Sequence, residues 1–320
     1  MKVLVTGGAG FIGSNLCERL VATPGVDRVV VIDDLSTGYV RNLEGIPVEL
    51  IEASILDPAA LARAAAGAQA IVHLAALGSV PRSVADPVAT HAVNTTGTLH
   101  VLQAARAAGN AHVVLASSSS VYGANPLLPK REDQLCMPMS PYAVSKLAAE
   151  QYATAFGRCY DLPVLPLRFF NVYGPRQAAG HAYAAVIPVF VDAALRGRPL
   201  PVDGDGLQSR DFTYVGSVVD LLVKAVLNRT SSQWPTNLAF GTNTTLLDLI
   251  DSLEAILGRE LQREWRATRA GDVRDSRADS SALFALMGHA EPVPLERGLT
   301  DTVEWMRGTI DQPTSEPVGS

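Results

Sequence analysis

Short apolar runs alternate along the chain with longer stretches in which apolar residues recur at helical spacing. The runs KVLVTG (Lys2 to Gly7), RVVVID (Arg28 to Asp33), VELIEA (Val48 to Ala53), AIVHLA (Ala70 to Ala75), HVVLAS (His112 to Ser117) and LPVLPLR (Leu162 to Arg168) are rich in Val, Ile and Leu on both faces. Strands buried on both sides and separated by helices form a parallel sheet, so the pattern predicts a doubly wound α/β fold of the Rossmann type. Helices are expected over Phe11 to Val21, Pro58 to Ala64, Pro87 to Ala107 and Pro141 to Tyr160. The last is opened by Ser140 as N-cap with Pro141 at the first helical position.

Beyond about Asn171 the rhythm changes to segments punctuated by Gly and Pro, such as VYGPRQ and GRPLPVDGDG, between helices near Ala182 to Leu195, Gly216 to Leu227 and Leu246 to Leu257. The expected organisation is a nucleotide-binding domain over 1–170 and a smaller mixed α/β substrate lobe over 171–307. Some segments of that lobe should return to the first domain, and 308–320, without apolar periodicity, reads as a flexible tail.

Composition narrows the function classes. A chain of 320 residues that is 48% hydrophobic and 18% charged can bury a sizeable core, and its net charge of -6 is the wrong sign for a nucleic-acid binder. The longest apolar stretches are too short and too interrupted for a membrane span, and a strand begins at Lys2 without a signal-peptide core, so the expectation is a cytoplasmic protein. Cys17, Cys136 and Cys159 are odd in number and scattered, and the six His residues show no ligand spacing, so neither a disulfide framework nor a metal is expected.

The candidate chemistry begins with TGGAGFIG, which puts Gly7, Gly10 and Gly13 between the first strand and the first helix. A tight turn, close backbone approach and free helix N-terminal amides there suit the pyrophosphate of a dinucleotide. Chance would supply the spacing about 0.2 times in this composition, so its position between strand and helix carries the reading. Asp33 ends the second strand 20 residues after Gly13, where a carboxylate binds ribose hydroxyls and repels a 2′-phosphate. NAD is therefore expected over NADP; Asp34 either shares the role or caps a turn, and Arg28 and Arg41 keep NADP as the alternative.

A second constellation, Tyr142 and Lys146, is spaced Y-x-x-x-K on the helix capped by Ser140, so phenol and ammonium share one helical face. A nearby ammonium lowers the cost of forming the phenolate, which makes Tyr142 a candidate base. That helix follows the strand that ends in SSSSVYG, Ser117 to Gly123.

Together the glycine turn, SSSSVYG and SPYAVSK resemble the extended short-chain dehydrogenase/reductase family of nucleotide-sugar epimerases and dehydratases, over nearly the whole chain to about Trp305. The resemblance implies that Ser118 holds the sugar O4, that Tyr142 is the acid/base, and that Lys146 also holds the nicotinamide ribose. It further implies cofactor contacts from Phe11, Ile12, Ser54, Ile55, Leu74, Ala75, Ala76 and Asn94. For a UDP-sugar it implies contacts from Gly78, Ser79, Ser119, Ser120, Asn171, Ala185, Val186 and Val202. Arg210 and Arg269 would take the pyrophosphate, and Asp272 the ribose. Ala53-Ser54 departs from the family's Gly-Asp at the adenine, and Gly78 from a lysine near the cofactor in galactose epimerases.

Family members that dehydrate or decarboxylate carry a carboxylate just before V-Y-G, and only hydroxyls stand there in this chain. The implied reaction is 4-epimerisation through a transient 4-keto sugar. AALGSVPRS and AYAAVIP are most similar to UDP-N-acetylglucosamine 4-epimerases, and Ser276 replaces a bulky tyrosine of the galactose type, leaving room for a 2-acetamido group. The alternatives are a UDP-uronate 4-epimerase, a dehydratase or decarboxylase, and a non-catalytic NAD-binding regulator. A homodimer through the helices at Pro87 to Ala107 and Pro141 to Tyr160 is also implied.

Overall fold

The computed structural model describes residues 1–179, 184–268 and 274–310. Six apolar runs become the parallel strands β1 Lys2–Thr6, β2 Arg28–Asp33, β3 Glu49–Glu52, β4 Ala70–His73, β5 His112–Ser118 and β6 Val164–Phe169. A seventh strand, Thr236–Leu238, comes from beyond residue 170 and pairs with β6. From that edge the order runs β6, β5, β4, β1, β2, β3. The order of strand addition therefore reverses between the parallel neighbours β1 and β4, and the crevice at the carboxyl ends of those strands is where a doubly wound sheet binds ligands.

Helices close both faces. On the face of the sheet that carries Leu4, Val30, Ile71 and Val113 lie α2 Pro58–Ala65, α5 Gly97–Ala107 and α6 Pro141–Tyr160. The opposite face packs Val3, Val5, Val31 and Val72 under α1 Phe11–Val21 and, from the later half of the chain, Val215–Asn228. Each such fully buried Val, Leu or Ile contributes about 1.5–3 kcal/mol, so the continuous apolar runs are themselves the driving force for a sheet buried on both sides.

Between β4 and α5 the chain forms two short helices, α3 Val80–Ala85 and α4 Pro87–His91, capped by Ser79 and Asp86. The expected unbroken helix from Pro87 to Ala107 is instead interrupted by a π-helical turn over Ala92–Thr96, where Asn94 turns its amide inward.

The remaining helices are α7 Val186–Leu195, α8 Val215–Asn228, α9 Leu246–Leu257, α10 Ser281–Met287 and α11 Leu295–Ile310. α7, α9 and α11 enclose a separate apolar cluster around Leu200 and Val202, and α10 packs on the edge strand Thr236–Leu238. α11 runs to Ile310, into the stretch expected as a tail, and 311–320 lie outside the described residues. Among the described residues no helix is long and apolar enough to cross a membrane.

Candidate active site

The carboxyl ends of β1, β2, β4 and β5 open into a cleft of about 670 Å³. Its floor is the glycine turn. Gly7 adopts φ +73°, and its N–H donates to the Ile32 carbonyl at 2.9 Å. A Cβ at Gly13 would stand 2.1 Å from the Gly7 carbonyl oxygen, and one at Gly7 would stand 2.7 Å from the Ala75 nitrogen, so neither position admits a side chain. Gly10 precedes α1 without any side-chain cap, which leaves the first amides of the helix facing the cleft. Gly7, Gly10, Phe11, Ile12 and Gly13 all line it. This close-packed cradle, with no side chain over the helix start, fits a dinucleotide diphosphate.

At one end, Asp33 and Asp34 line the wall. The Asp33 carboxylate accepts the N–H of Ala9 in the glycine turn and that of Leu35, both at 2.9 Å. Burial raises its pKa above the ordinary carboxylate range, and these two amide donors oppose the rise. Asp33 therefore fastens the turn to β2 while facing the adenosine end. Asp34 is exposed and caps the next turn through Ser36. Ser54 does not reach the lining; its hydroxyl accepts the Leu56 N–H at 3.2 Å, while Ala53 and Ile55 line the cleft beside it.

At the other end α6 delivers Tyr142 and Lys146. Ser140 caps the helix by accepting the Ala143 N–H at 3.2 Å, which sets the rotation that turns both side chains inward. Burial pushes the Tyr142 phenol above the usual tyrosine range, and its hydrogen bond with Ser118 pulls the other way. Burial lowers the Lys146 ammonium to about 8, and its Nζ donates to the Ala116 carbonyl at 2.9 Å. Ser118, Tyr142 and Lys146 thus converge where β5 ends, in the same cleft as the glycine turn. A hydroxyl, a phenol and a cation so arranged can hold an alcohol and move its proton.

Beneath them runs a buried polar layer. Ser117 donates to Glu150 at 2.7 Å, and Glu150, one helical repeat beyond Lys146, pairs with Arg168 of β6. His73 lies between the Thr6 and Thr98 hydroxyls at 2.7 and 2.9 Å, and burial with the Lys146 charge nearby lowers it to about 3. Asn94, expected at the cofactor, is behind the wall instead. Its amide is spent on the Leu77 backbone at 2.8 and 3.2 Å and on the Ser145 hydroxyl at 3.0 Å.

Leu74, Ala75 and Ala76, expected at the cofactor, and Gly78, Ser79, Asn171 and Ala185, expected at the substrate, line the cleft or its rim. Ser119 and Ser120 turn away in the 3-10 turn Ser119–Tyr122, where the buried Ser120 hydroxyl has no partner, and Val186 lies just past the rim as the first residue of α7. Val202 is fully buried in the apolar core of the second lobe and is not among the residues that line the cleft. Arg210 and Ser276 are direct neighbours across a small sheet, Ser209–Arg210 pairing in parallel with Asp275–Ser276. Arg269 and Asp272 lie outside the described residues.

Several lining residues escape the sequence reading. Thr37 and Tyr39 edge the adenosine end, and Asn42 props the glycine turn by donating to the Ala9 carbonyl at 2.9 Å. Arg82 of α3 faces the cleft, as do Arg176, Gln177 and Ala178. Only the Gly and Pro of VYGPRQ signalled a tight segment there; which helix it would cross is not written in local pattern.

A family model described as NAD dependent epimerase/dehydratase matches residues 3–238. A UDP-glucose 4-epimerase of Mycolicibacterium smegmatis is 39% identical over 313 residues, covering 96% of this chain and 99% of that protein. Among solved structures, a UDP-N-acetylglucosamine 4-epimerase from Methanobrevibacter ruminantium in complex with UDP-N-acetylmuramic acid superposes with a TM-score of 0.90 at 35% identity, covering 96% of this chain and 98% of that one. A UDP-glucose 4-epimerase from Thermotoga maritima with UDP-glucose gives 0.91 at 35% identity, covering 97% and 100%. With a glycine cradle, an acidic adenosine wall and a Ser118–Tyr142–Lys146 cluster in one cleft, the chain belongs to the NAD-dependent epimerase/dehydratase family.

Proposed function

We propose that the protein is a UDP-sugar 4-epimerase whose preferred substrate carries a 2-acetamido group. The observation that carries this reading is the content of the cleft wall. Ser118 and Tyr142 are hydrogen-bonded beside Lys146, and among the described lining residues the only carboxylates are Asp33 and Asp34, at the adenosine end. Proton removal from an alcohol is provided for; the extra acid or base that elimination needs is not.

In this reading Ser118 holds the sugar O4 and Tyr142 takes its proton, then returns it. NAD, when bound, would supply the hydride acceptor for C4. Lys146, already lowered to about 8, stays cationic near neutral pH and stabilises the phenolate. Arg210, Arg269 and Asp272 hold the UDP, and Asn171 its phosphates.

The substrate preference rests on Ser276, a small residue beside Arg210. The test is to supply UDP-N-acetylglucosamine and UDP-glucose separately and resolve the C4 epimers, for the unaltered protein and for Ser276→Tyr. The acetylated sugar should turn over at least as fast as the plain one, and the tyrosine should slow it selectively by about tenfold or more. Equal effects on both sugars would overturn the gate, and a product of altered mass would overturn the reaction class.

The same reading makes the protein a homodimer through α4, α5 and α6, whose outer faces leave Val88, Val144 and Tyr152 exposed. Sedimentation at micromolar concentration tests this, with a monomer the contrary result.

A further inference from the structure

We propose that the segment Gly174–Ala178 is a strap that retains the cofactor, and that Asn15 and Glu18 on α1 are the positioning residues that fasten it. The Asn15 amide nitrogen donates to two carbonyls at once, that of Phe11 in the first turn of α1 at 2.8 Å and that of Pro175 at 3.0 Å. One side chain thereby ties the strap backbone to the helical turn that fronts the diphosphate cradle. One turn-face position further along α1, Glu18 pairs with Arg176 at 2.8 Å. Arg176 holds φ +69°, which strains a residue with a Cβ, and the ties on either side keep it there.

The strap is anchored at its other side as well. Gly174 approaches α8 so closely that a Cβ would stand 2.4 Å from Val215 Cγ1, and Gln177 Nε2 donates to the Val172 carbonyl at 3.1 Å. Arg176, Gln177 and Ala178 line the same cleft as Gly10 and Phe11. The Gln177 side-chain oxygen is buried without a partner, an acceptor left for a donor on a bound molecule. A guanidinium facing a cleft that also presents helix N-terminal amides suits a diphosphate.

Retention has a purpose in the reaction proposed above, on which this inference rests. A hydride that is taken from C4 and returned to it requires that the cofactor stay through both halves. Neither Asn15 nor Glu18 lines the cleft, so each acts through the strap.

The experiment loads the whole protein with isotopically labelled NAD, chases with excess unlabelled NAD, and follows the label retained after rapid desalting. Asn15→Ala should release label about tenfold faster and Glu18→Ala about threefold faster than the unaltered protein. Glu18→Gln, which keeps an acceptor for Arg176, should fall between. Glu18 is exposed, so its replacement does not threaten folding, and equal melting temperatures check this. Unchanged release in both alanine variants would overturn the strap and leave the proposed function standing. An unaltered protein that retains no label would also overturn the strap, while the epimer assay with added NAD tests the proposed function independently.

Discussion

Arg168 donates to both carboxylate oxygens of Glu150, from Nε at 3.1 Å and Nη2 at 2.7 Å, in a pair almost sealed from water. The same carboxylate accepts Ser117, and Ser117 and Arg168 are register partners across β5 and β6. Glu150 therefore joins the helix that carries Tyr142 and Lys146 to the strand that ends in Ser118 and to the strand that leads to Asn171. Breaking one half of a buried pair costs about 3–5 kcal/mol, because the remaining charge is left uncompensated. Glu150→Leu should lose about that much in urea unfolding, and Glu150→Leu with Arg168→Met should recover most of it. A single variant as stable as the double would contradict this role.

His73 gives a pH signature. Its folded pKa is lowered to about 3 against 6.5 for the free group, so between those values the unfolded chain binds the extra proton. The stability that neutral His73 contributes is complete above about pH 6.5 and is lost as pH falls through about 3. Asp33, Asp211 and Glu132, raised by burial, act with the opposite sign. The informative quantity is thus the difference between the unaltered protein and His73→Gln. Unfolding free energies from pH 7 to pH 4 should fall less steeply in the variant; parallel curves would show that His73 is not held neutral.

Asp33 is tied to Ala9 and Leu35 at 2.9 Å each, so its loss should act on cofactor choice and on the shape of the glycine turn together. Asp33→Asn keeps an acceptor for one amide but removes the charge. NAD should bind about tenfold more weakly, and the preference over NADP should narrow. Titration calorimetry with both cofactors reads this, and an unchanged ratio would assign the discrimination elsewhere.

Gly13→Ala should abolish NAD binding while leaving the C-terminal lobe folded. Its Cβ would stand 2.1 Å from the Gly7 carbonyl oxygen, a backbone atom that cannot step aside without opening the turn. Cofactor affinity within about twofold of the original would mean that the turn yields more readily than its packing implies.

How much of this was legible beforehand follows from the range of each interaction. The helices Phe11–Val21, Pro141–Tyr160 and Leu246–Leu257 and the strand Arg28–Asp33 have the boundaries that periodicity and capping residues predict, since those signals are local. The glycine turn and the Tyr142–Lys146 face were readable for the same reason. Nothing local to Asn94 tells that Leu77 and Ser145 claim its amide. The burial of Val202 is likewise illegible locally, because its neighbours in the second core come from α7 and α9. Glu150 with Arg168, and Arg176 with Glu18, are pairs 18 and 158 residues apart. They exist only once the sheet has brought α6 beside β6 and the segment after β6 across α1.

Oxidation and reduction of C4 within one cleft, with Tyr142 handling the proton, can be followed with a UDP-hexose or UDP-N-acetylhexosamine bearing deuterium at C4, by analysing the product for mass and for position of the label. The expected product is a C4 epimer of unchanged mass with deuterium retained at C4, and Tyr142→Phe should lose this conversion by about a thousandfold. A product that has lost water, carbon dioxide or the C4 label, or a Tyr142→Phe protein with undiminished turnover, would contradict this mechanism.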